Sequence, residues 1–352
     1  MTSIRKATLL FFLTALLCLG ACRKTSDSTQ TNDSYTGVPL VILDADFGSS
    51  TDDLFAAEFL YYYQDKGMSR LIGVIADRMG EQNAAIVDIM NTYYGYGNIP
   101  IGLERNGIQN SDVYIDYTSL AEIKDSIGKP MFERTVNDYS KLPDGWKLYR
   151  KLLSESPDHS VSIVITGFIT AVAQLLESEG DEYSSLTGQE LVKKKVKAAY
   201  IMGGKFDEEN PRPGYNFRFD PDAARTFYKL WPTEIKMHFS PSSIGNNLFY
   251  PTDSVLKDIS WTNRHPIKQI FMNFDCGIGQ KMWDVLPVIQ AVEGDQRFKL
   301  SKWGNVTFTE NNLMPFTESE NGFCRYQIKG DDKWNEEMLQ YIRDVNRKHW
   351  EN

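Results

Sequence analysis

The chain has 352 residues, 41% of them hydrophobic, and a formal net charge of −9. That length suffices for one or two domains with a sizeable core. The acidic balance argues against nucleic acid or an anionic membrane surface as a partner, and the four cysteines and four histidines show no zinc-binding spacing.

The first segment reads as a processing signal. Arg5 and Lys6 precede a short apolar run from Ala7 to Leu19, and Leu19-Gly20-Ala21-Cys22 matches the lipobox of bacterial lipoproteins. The run is too short for a membrane span. Residues 1–21 are expected to be a cleaved signal peptide, leaving Cys22 to carry lipid. An ordinary secretory signal that happens to contain a cysteine is the alternative. Losing Arg5 and Lys6 with the signal takes the formal charge from −9 to −11. Residues 22–37, rich in Ser, Thr, Asp and Asn, read as a flexible tether. The folded domain is expected over 38–352. Arg23-Lys24 after the lipid-bearing cysteine gives no inner-membrane retention signal. The expected location is the bacterial cell envelope, at an outer membrane, facing periplasm or cell surface. Membrane contact would come through the lipid alone.

Pro39 to Leu43 has the length and branching of a buried strand. It ends in Asp44-Ala45-Asp46, a Gly-Ser-Ser-Thr turn follows, and Asp52-Asp53 opens an amphipathic helix. Four carboxylates thus surround one strand-to-helix turn. Like charges this close repel, and burying them unpaired is costly. A hard cation with oxygen ligands would resolve the conflict. Alternatively, Asp52 or Asp53 merely favours the helix N-terminus through its dipole.

Further along, Leu71–Ala76 reads as a strand, Glu81–Tyr94 as a helix and Ile99–Gly102 as a short strand. Residues 104–140 read as an irregular surface excursion. A helix is expected over Trp146–Leu153, a buried strand over Val161–Ile165, and a helix through Leu176. Val196–Met202 reads as a strand ending in Gly203-Gly204. Asp220 is placed as N-cap and Pro221 as the first residue of a helix to Leu230. Glu234–Phe239 reads as a strand and Lys281–Val292 as a helix. A β-rich stretch over 297–328 precedes a C-terminal helix from about Lys333. Such alternation argues for an α/β fold with a mainly parallel sheet, whose ligands sit at the carboxyl ends of strands. Cys276 and Cys324 are left open between a disulfide and two buried thiols. The aromatic clusters at Tyr61–Tyr63 and Tyr93-Tyr94 read as core.

Three other polar features stand at predicted element ends: Thr166-Gly167, the loop from Gly203-Gly204 to Gly214-Tyr215-Asn216, and Asp284 in an otherwise apolar stretch. Each alone also reads as a cap or a solvated residue. Together, and in this order, they resemble the inosine–uridine-preferring nucleoside hydrolase family, as a divergent bacterial lipoprotein member. That family's Asp-x-Asp-x-Gly-x-Asp-Asp motif is similar to the stretch from Asp44 to Asp53, here two residues longer before the acid pair. Its Thr-Gly-Pro-Leu-Thr-Asn resembles the stretch from Thr166 to Ala171, and its Met-Gly-Gly resembles Met202-Gly203-Gly204. Its Glu-Phe-Asn and Asp-Pro-Glu-Ala-Ala resemble Gly214-Tyr215-Asn216 and the stretch from Asp220 to Ala224. Its late His-Asp resembles Trp283-Asp284.

The resemblance implies a nucleoside-hydrolase-like α/β fold, with an open Rossmann-like core and helices flanking a mainly parallel central sheet. It implies calcium-dependent hydrolysis of the N-glycosidic bond of a ribonucleoside or related riboside, giving sugar and free base. Calcium would be held by Asp46, Asp53, the Thr166 carbonyl and Asp284, and Asp46 would be the general base. Asp52 and Asn216 would bind the sugar, with Asp77 a weaker match and Trp283 placed to stack on the base. The family often forms oligomers, so a homo-oligomer is the default expectation. Three departures stand out. Trp283 replaces the late His used in some members as leaving-group acid. Gly214 replaces a sugar-binding Glu, and Ala171 replaces the closing Asn of the Thr-Gly motif. These departures keep open a non-catalytic, calcium-dependent nucleoside- or sugar-binding lipoprotein on the same fold. Asp44-x-Asp46 after a strand also fits a haloacid-dehalogenase-like phosphatase, but the nearby Asp52-Asp53 pair and the distant Asp284 suit that chemistry poorly.

Overall fold

The computed structural model describes residues 37–109, 116–206, 209 and 211–347. The predicted signal peptide, the lipid-bearing Cys22 and nearly all of the tether lie outside the described residues. Among the described residues, no helix is long and apolar enough to cross a membrane.

The centre is a sheet built from β1 (Leu40–Ala45), β2 (Arg70–Arg78), β3 (Ile101–Ile108), β4 (Val161–Ile165), β5 (Val196–Met202) and β6 (Lys236–Ser240). These strands are parallel and lie in the spatial order β3-β2-β1-β4-β5-β6. Residue 44 of β1 sits opposite Ile75 on one side and Ile165 on the other. The order reverses direction between β1 and β4. That is the switch point where open α/β sheets leave a crevice at the strand ends.

Helices α1 (Asp52–Asp65), α2 (Glu81–Tyr93), α3 (Gly145–Glu155), α4 (Thr170–Glu177), α5 (Gly188–Lys195), α6 (Tyr215–Phe219) and α7 (Pro221–Leu230) alternate with these strands. Farther on come α8 (Ser242–Gly245), β7 (Phe249–Pro251), α9 (Thr252–Asp258), α10 (Pro266–Asn273), β8 (Gly279–Lys281) and α11 (Val285–Glu293). Strands β9 (Lys299–Leu300), β10 (Gly304–Val306), β11 (Phe316–Glu318) and β12 (Cys324–Ile328) then extend the sheet, and α12 (Asp332–Arg347) is the last element among the described residues. Strand β12 is parallel to β6, whereas β10 and β9 run antiparallel to β12.

Two hydrophobic clusters cover the two sheet faces. Val41 and Leu43 point to a layer containing α1, α2, α10 and α11. Ile42 points to a layer containing α3, α4, α5 and α7. The alternation along β1 follows from the strand's two-residue period, and burial on both faces explains its near-continuous apolar sequence. Cys276 and Cys324 are free, buried thiols in different clusters.

Several elements differ from the sequence reading. Strand β3 runs on to Ile108, so the excursion starts later than position 104. It also contributes to the interior, because Tyr117 and Leu120 are fully buried. The stretch read as one helix from Lys281 divides into β8, which pairs with β7, and α11 from Val285. Helix α5 was not anticipated, although Thr187 and Glu190 form a full capping box at its start. The Asp220 cap is as expected: its carboxylate accepts from the Ala223 amide, with Pro221 as the first helical residue.

Candidate active site

Strand β1 delivers Asp44 and Asp46 to the switch point. The loop after it turns through Gly48, whose φ of 107° lies where glycine is favoured. This longer loop is tied down by two distant residues. Tyr117 Oη accepts from the Gly48 amide at 2.8 Å and donates to the Ser50 carbonyl at 3.0 Å. Gln280, on β8, accepts from Thr51 Oγ1 at 3.1 Å and donates to Ser50 Oγ at 2.9 Å. Neither was singled out from sequence. The loop therefore presents Asp52 and Asp53 at the start of α1 with both side chains buried.

Strand β4 brings Thr166 beside them. Its amide donates to the Asp44 carbonyl at 2.8 Å, and its hydroxyl donates to Asp53 Oδ1 at 2.9 Å. Asn216 Nδ2 donates to the Thr166 carbonyl, whose second lone pair that bond leaves over. Gly167 must be glycine: a Cβ there would lie 2.2 Å from Asp77 Oδ2 and 2.4 Å from the Asp46 amide nitrogen.

Oxygens of Asp52, Asp53 and Asp284 lie within 4.8 Å of one another, and all three residues are buried. Asp52 is the best satisfied. It accepts from Ser50 Oγ, from Gln280 Nε2 at 3.3 Å and from the Trp283 amide at 3.3 Å. Asp53 and Asp284 each keep a buried oxygen with no hydrogen-bond partner. Burial, then the charges of Asp46 and Asp52, push the Asp53 carboxyl well above its ordinary range. Burial, then Asp52 and Asp53, do the same to Asp284. Orphaned, crowded carboxylate oxygens are the donor set a hard divalent cation takes.

Asp46 lies beside that triplet, and its charge acts on both Asp53 and Asp284. Arg78, at the end of β2, donates from Nη2 to Asp46 Oδ2 at 2.7 Å and from Nε to the Asp46 carbonyl at 3.3 Å. The guanidinium lies 5.4 Å from the Phe168 ring centroid. Burial raises the Asp46 carboxyl to about 6, against the lowering influence of Arg78. Arg78 is the residue sequence reasoning missed. An arginine at a strand end reads as solvated, and only tertiary structure turns it onto Asp46.

A second carboxyl pair lies deeper. Asp77 is fully buried beneath Gly167, on the floor of the site rather than at its opening. Burial, then the charges of Asp44 and Asp46, raise it well above the usual range. Asp44 accepts from Tyr149 Oη at 2.7 Å. Burial lifts Asp44 to about 7, although the hydrogen bond from Asp77 holds it down. Burial thus pushes both carboxyls toward their protonated forms.

Trp283 is half-buried at the rim. Its indole donates to the Ser242 carbonyl and to Asn246 Oδ1, both at 3.2 Å. None of the described histidines reaches the carboxylates by a hydrogen bond. His265 is buried and bonds Tyr94 Oη at 3.0 Å. His238 stacks on Tyr200, and burial drives its imidazole down to about 4. His159 is exposed, and His349 lies outside the described residues. The structure thus brings Asp46, Asp52, Asp53, Thr166, Asn216, Trp283 and Asp284 to one crevice, with Asp77 beneath it.

Residues 41–297 match the family model for inosine-uridine preferring nucleoside hydrolase. No curated protein matches the sequence. Solved structures match by fold. A plant nucleoside hydrolase is 15% identical, with TM-score 0.64, and the match covers 88% of this chain and 99% of that one. An inosine–guanosine nucleoside hydrolase is 16% identical, with TM-score 0.64 over 87% and 98%. A purine-preferring ribonucleoside hydrolase from Gardnerella vaginalis is 14% identical, with TM-score 0.61 over 88% and 99%.

Proposed function

Because this chain belongs to the inosine–uridine-preferring nucleoside hydrolase family, and is thereby an N-glycosidase, we propose that it cleaves a ribonucleoside or related riboside to sugar and free base. The observation that carries this reading is the gathering of buried, unneutralised carboxylates at the sheet's switch point. Breaking an N-ribosidic bond develops positive charge on the sugar. Fixed carboxylates in a site of low dielectric stabilise that charge where it forms.

Asp46, Asp53 and Asp284, with the Thr166 carbonyl, would hold a hard divalent cation, in our reading calcium, and the Asp52 carboxylate lies beside Asp53 and Asp284. When bound, the cation would lower the pKa of a water and orient sugar hydroxyls. The chain's own part is proton transfer and positioning. Asp46 would take the proton of the attacking water, a contribution typically of ~10²–10⁴-fold. Asn216 and Asp52 would hold sugar hydroxyls, and Trp283 would offer its face to the departing base. The amino-terminal signal supports a lipid-anchored protein of the cell envelope, working on small molecules there.

The experiment uses the chain from about residue 37, incubated with a panel of ribonucleosides and modified ribosides, with calcium and with chelator. Calcium-dependent release of reducing sugar that disappears in Asp46→Asn is the expected result. Calcium binding with no release from any riboside would instead favour a binding protein. The Arg78–Asp46 ion pair, which engages the proposed base, is the observation on that side.

A further inference from the structure

Resting on the proposed reading, we propose that Lys281 is a catalytic residue that protonates the departing base over the indole of Trp283. Breaking the bond between the anomeric carbon and the base leaves an electron pair on the base. The buried carboxylates of the crevice serve the positive charge of the sugar, and they repel the negative charge that develops on the base. None of the described histidines bonds to those carboxylates, so the proton comes from another residue. Three observations place Lys281 at that end of the site. First, the Trp283 amide donates to Asp52 Oδ2 at 3.3 Å, so the rim that carries the indole is tied to the acid cluster. Second, the indole is fixed. Its Nε1 donates to the Ser242 carbonyl and to Asn246 Oδ1, both at 3.2 Å, and it lies so close to Gly245 that a Cβ there would sit 2.4 Å from its Cδ1. Third, Lys281 Nζ stands 5.6 Å from the centroid of the Trp283 ring. Offset-stacked rings keep their centroids roughly 4.5–7 Å apart, so a base on Trp283 would lie at the height of the ammonium and meet it at its edge. Asn246 Oδ1, which accepts from the indole, also accepts from Lys281 Nζ at 3.4 Å and steadies it there. Lys281 is exposed, and no carboxylate among the described residues pairs with it. The step balances. The carbon–nitrogen bond breaks with its electron pair going to the base, the Lys281 ammonium gives one proton to a nitrogen or carbonyl oxygen of the base, and Asp46 takes one from the attacking water. The lysine, being exposed, regains its proton from solvent.

The test compares two leaving groups, using the chain from about residue 37 with calcium present. One substrate is the ribonucleoside that the wild-type protein cleaves fastest. The other is para-nitrophenyl riboside, whose nitrophenolate departs as a stable anion and needs no proton. Lys281→Met keeps most of the side chain and removes its proton and charge, at an exposed position where the fold does not depend on it. It should lower kcat on the nucleoside about 100-fold, as loss of a general acid does, and change turnover of the nitrophenyl riboside by less than about threefold. Lys281→Arg keeps the charge but gives up no proton, so it should lose nearly as much on the nucleoside. Full activity in Lys281→Arg would overturn the proton transfer. If Lys281 only props the Trp283 ring, turnover of both substrates falls together, because both leaving groups are aromatic and stack there, and the inference is overturned. Nucleoside turnover in Lys281→Met equal to wild type overturns it as well. A wild-type protein that cleaves the nitrophenyl riboside but no ribonucleoside leaves the hydrolase reading standing and overturns the role of Lys281. Cleavage of neither substrate defeats the hydrolase reading, and the inference with it.

Discussion

Replacing Asp53 with asparagine gives the most informative change in stability, because its sign reverses with calcium. The Asp53 oxygen lies within 4.8 Å of oxygens of both Asp52 and Asp284. Two carboxylate charges about 5 Å apart, at an effective dielectric near 20, repel by about 3 kcal/mol. Without a cation the folded protein either bears that repulsion or takes up a proton, and both cost stability of this order. Asparagine has nearly the same shape. Its Oδ1 can still accept from the Thr166 hydroxyl, now 2.9 Å from Asp53 Oδ1, and its amide can donate to a neighbouring carboxylate. In chelator, Asp53→Asn should therefore be more stable than wild type by about 2–3 kcal/mol, or about 5 °C in melting temperature for a domain of this size. Calcium reverses the order. At a thousand times its dissociation constant it should stabilise the wild-type protein by about 4.1 kcal/mol, more than the variant's lead, and the variant, lacking a ligand, by much less. The assay is a pair of thermal melts at pH 7.5, one in chelator and one in calcium. The reasoning is refuted if Asp53→Asn melts below wild type in chelator, or if both proteins gain equally from calcium.

The pH dependence of the calcium-free protein follows from the two carboxyls at the end of β1. Asp44 and Asp46 are raised by burial to about 7 and about 6 from an ordinary 3.8. The folded state therefore keeps protons that the unfolded state has released, and stability is lost as pH rises from about 4 through 7, by a few kcal/mol in all. Melts in chelator should be lower at pH 8 than at pH 5, and a rise over that interval would contradict the placement of these groups. Gly167→Ala should be severely destabilising, since its methyl group would lie 2.2 Å from the Asp77 carboxylate and 2.4 Å from the Asp46 amide nitrogen. Overpacking of this kind typically costs ~1–3 kcal/mol, and a urea midpoint equal to wild type would show that the strand ends are farther apart than described. Tyr117→Phe removes the acceptor for the Gly48 amide and the donor to the Ser50 carbonyl. It should cost about 1–3 kcal/mol and reduce turnover by loosening the acid loop, readable from denaturation and steady-state kinetics together.

What the sequence revealed and what it concealed divide along physical lines. The turn from Asp44 to Asp53 was legible because an apolar run, glycine and paired acids are local signals, and the structure places them at β1 and α1. Thr166, Asn216 and Asp284 were legible only jointly, through their order along the chain. The N-cap at Asp220 is written in four consecutive residues and needed no tertiary information. By contrast, Gln280 reaches Thr51 across 229 positions and Tyr117 reaches Gly48 across 69, so no periodicity could connect them. The region around Tyr117 looked like an excursion because its polar surface hides one buried ring. The helical reading of Lys281–Trp283 failed for a similar reason: Lys281 pairs with Phe249 of β7, the Met282 amide donates to the Leu248 carbonyl and the Trp283 amide to Asp52, so long-range bonds overrode an apolar pattern too short to distinguish strand from helix. The motif order points to Asp77, but its neighbour Arg78 makes the contact to Asp46, because side chains one residue apart on a strand point to opposite faces.

The most direct measurement of the central claim is hydrolysis carried out in heavy-oxygen water, with the products analysed by mass spectrometry. Attack of water on the sugar's anomeric carbon puts the label in the released sugar and none in the base, and Asp46→Asn should abolish both release and labelling. Cleavage that leaves the sugar unlabelled, or labelled release that persists undiminished in Asp46→Asn, would contradict the account.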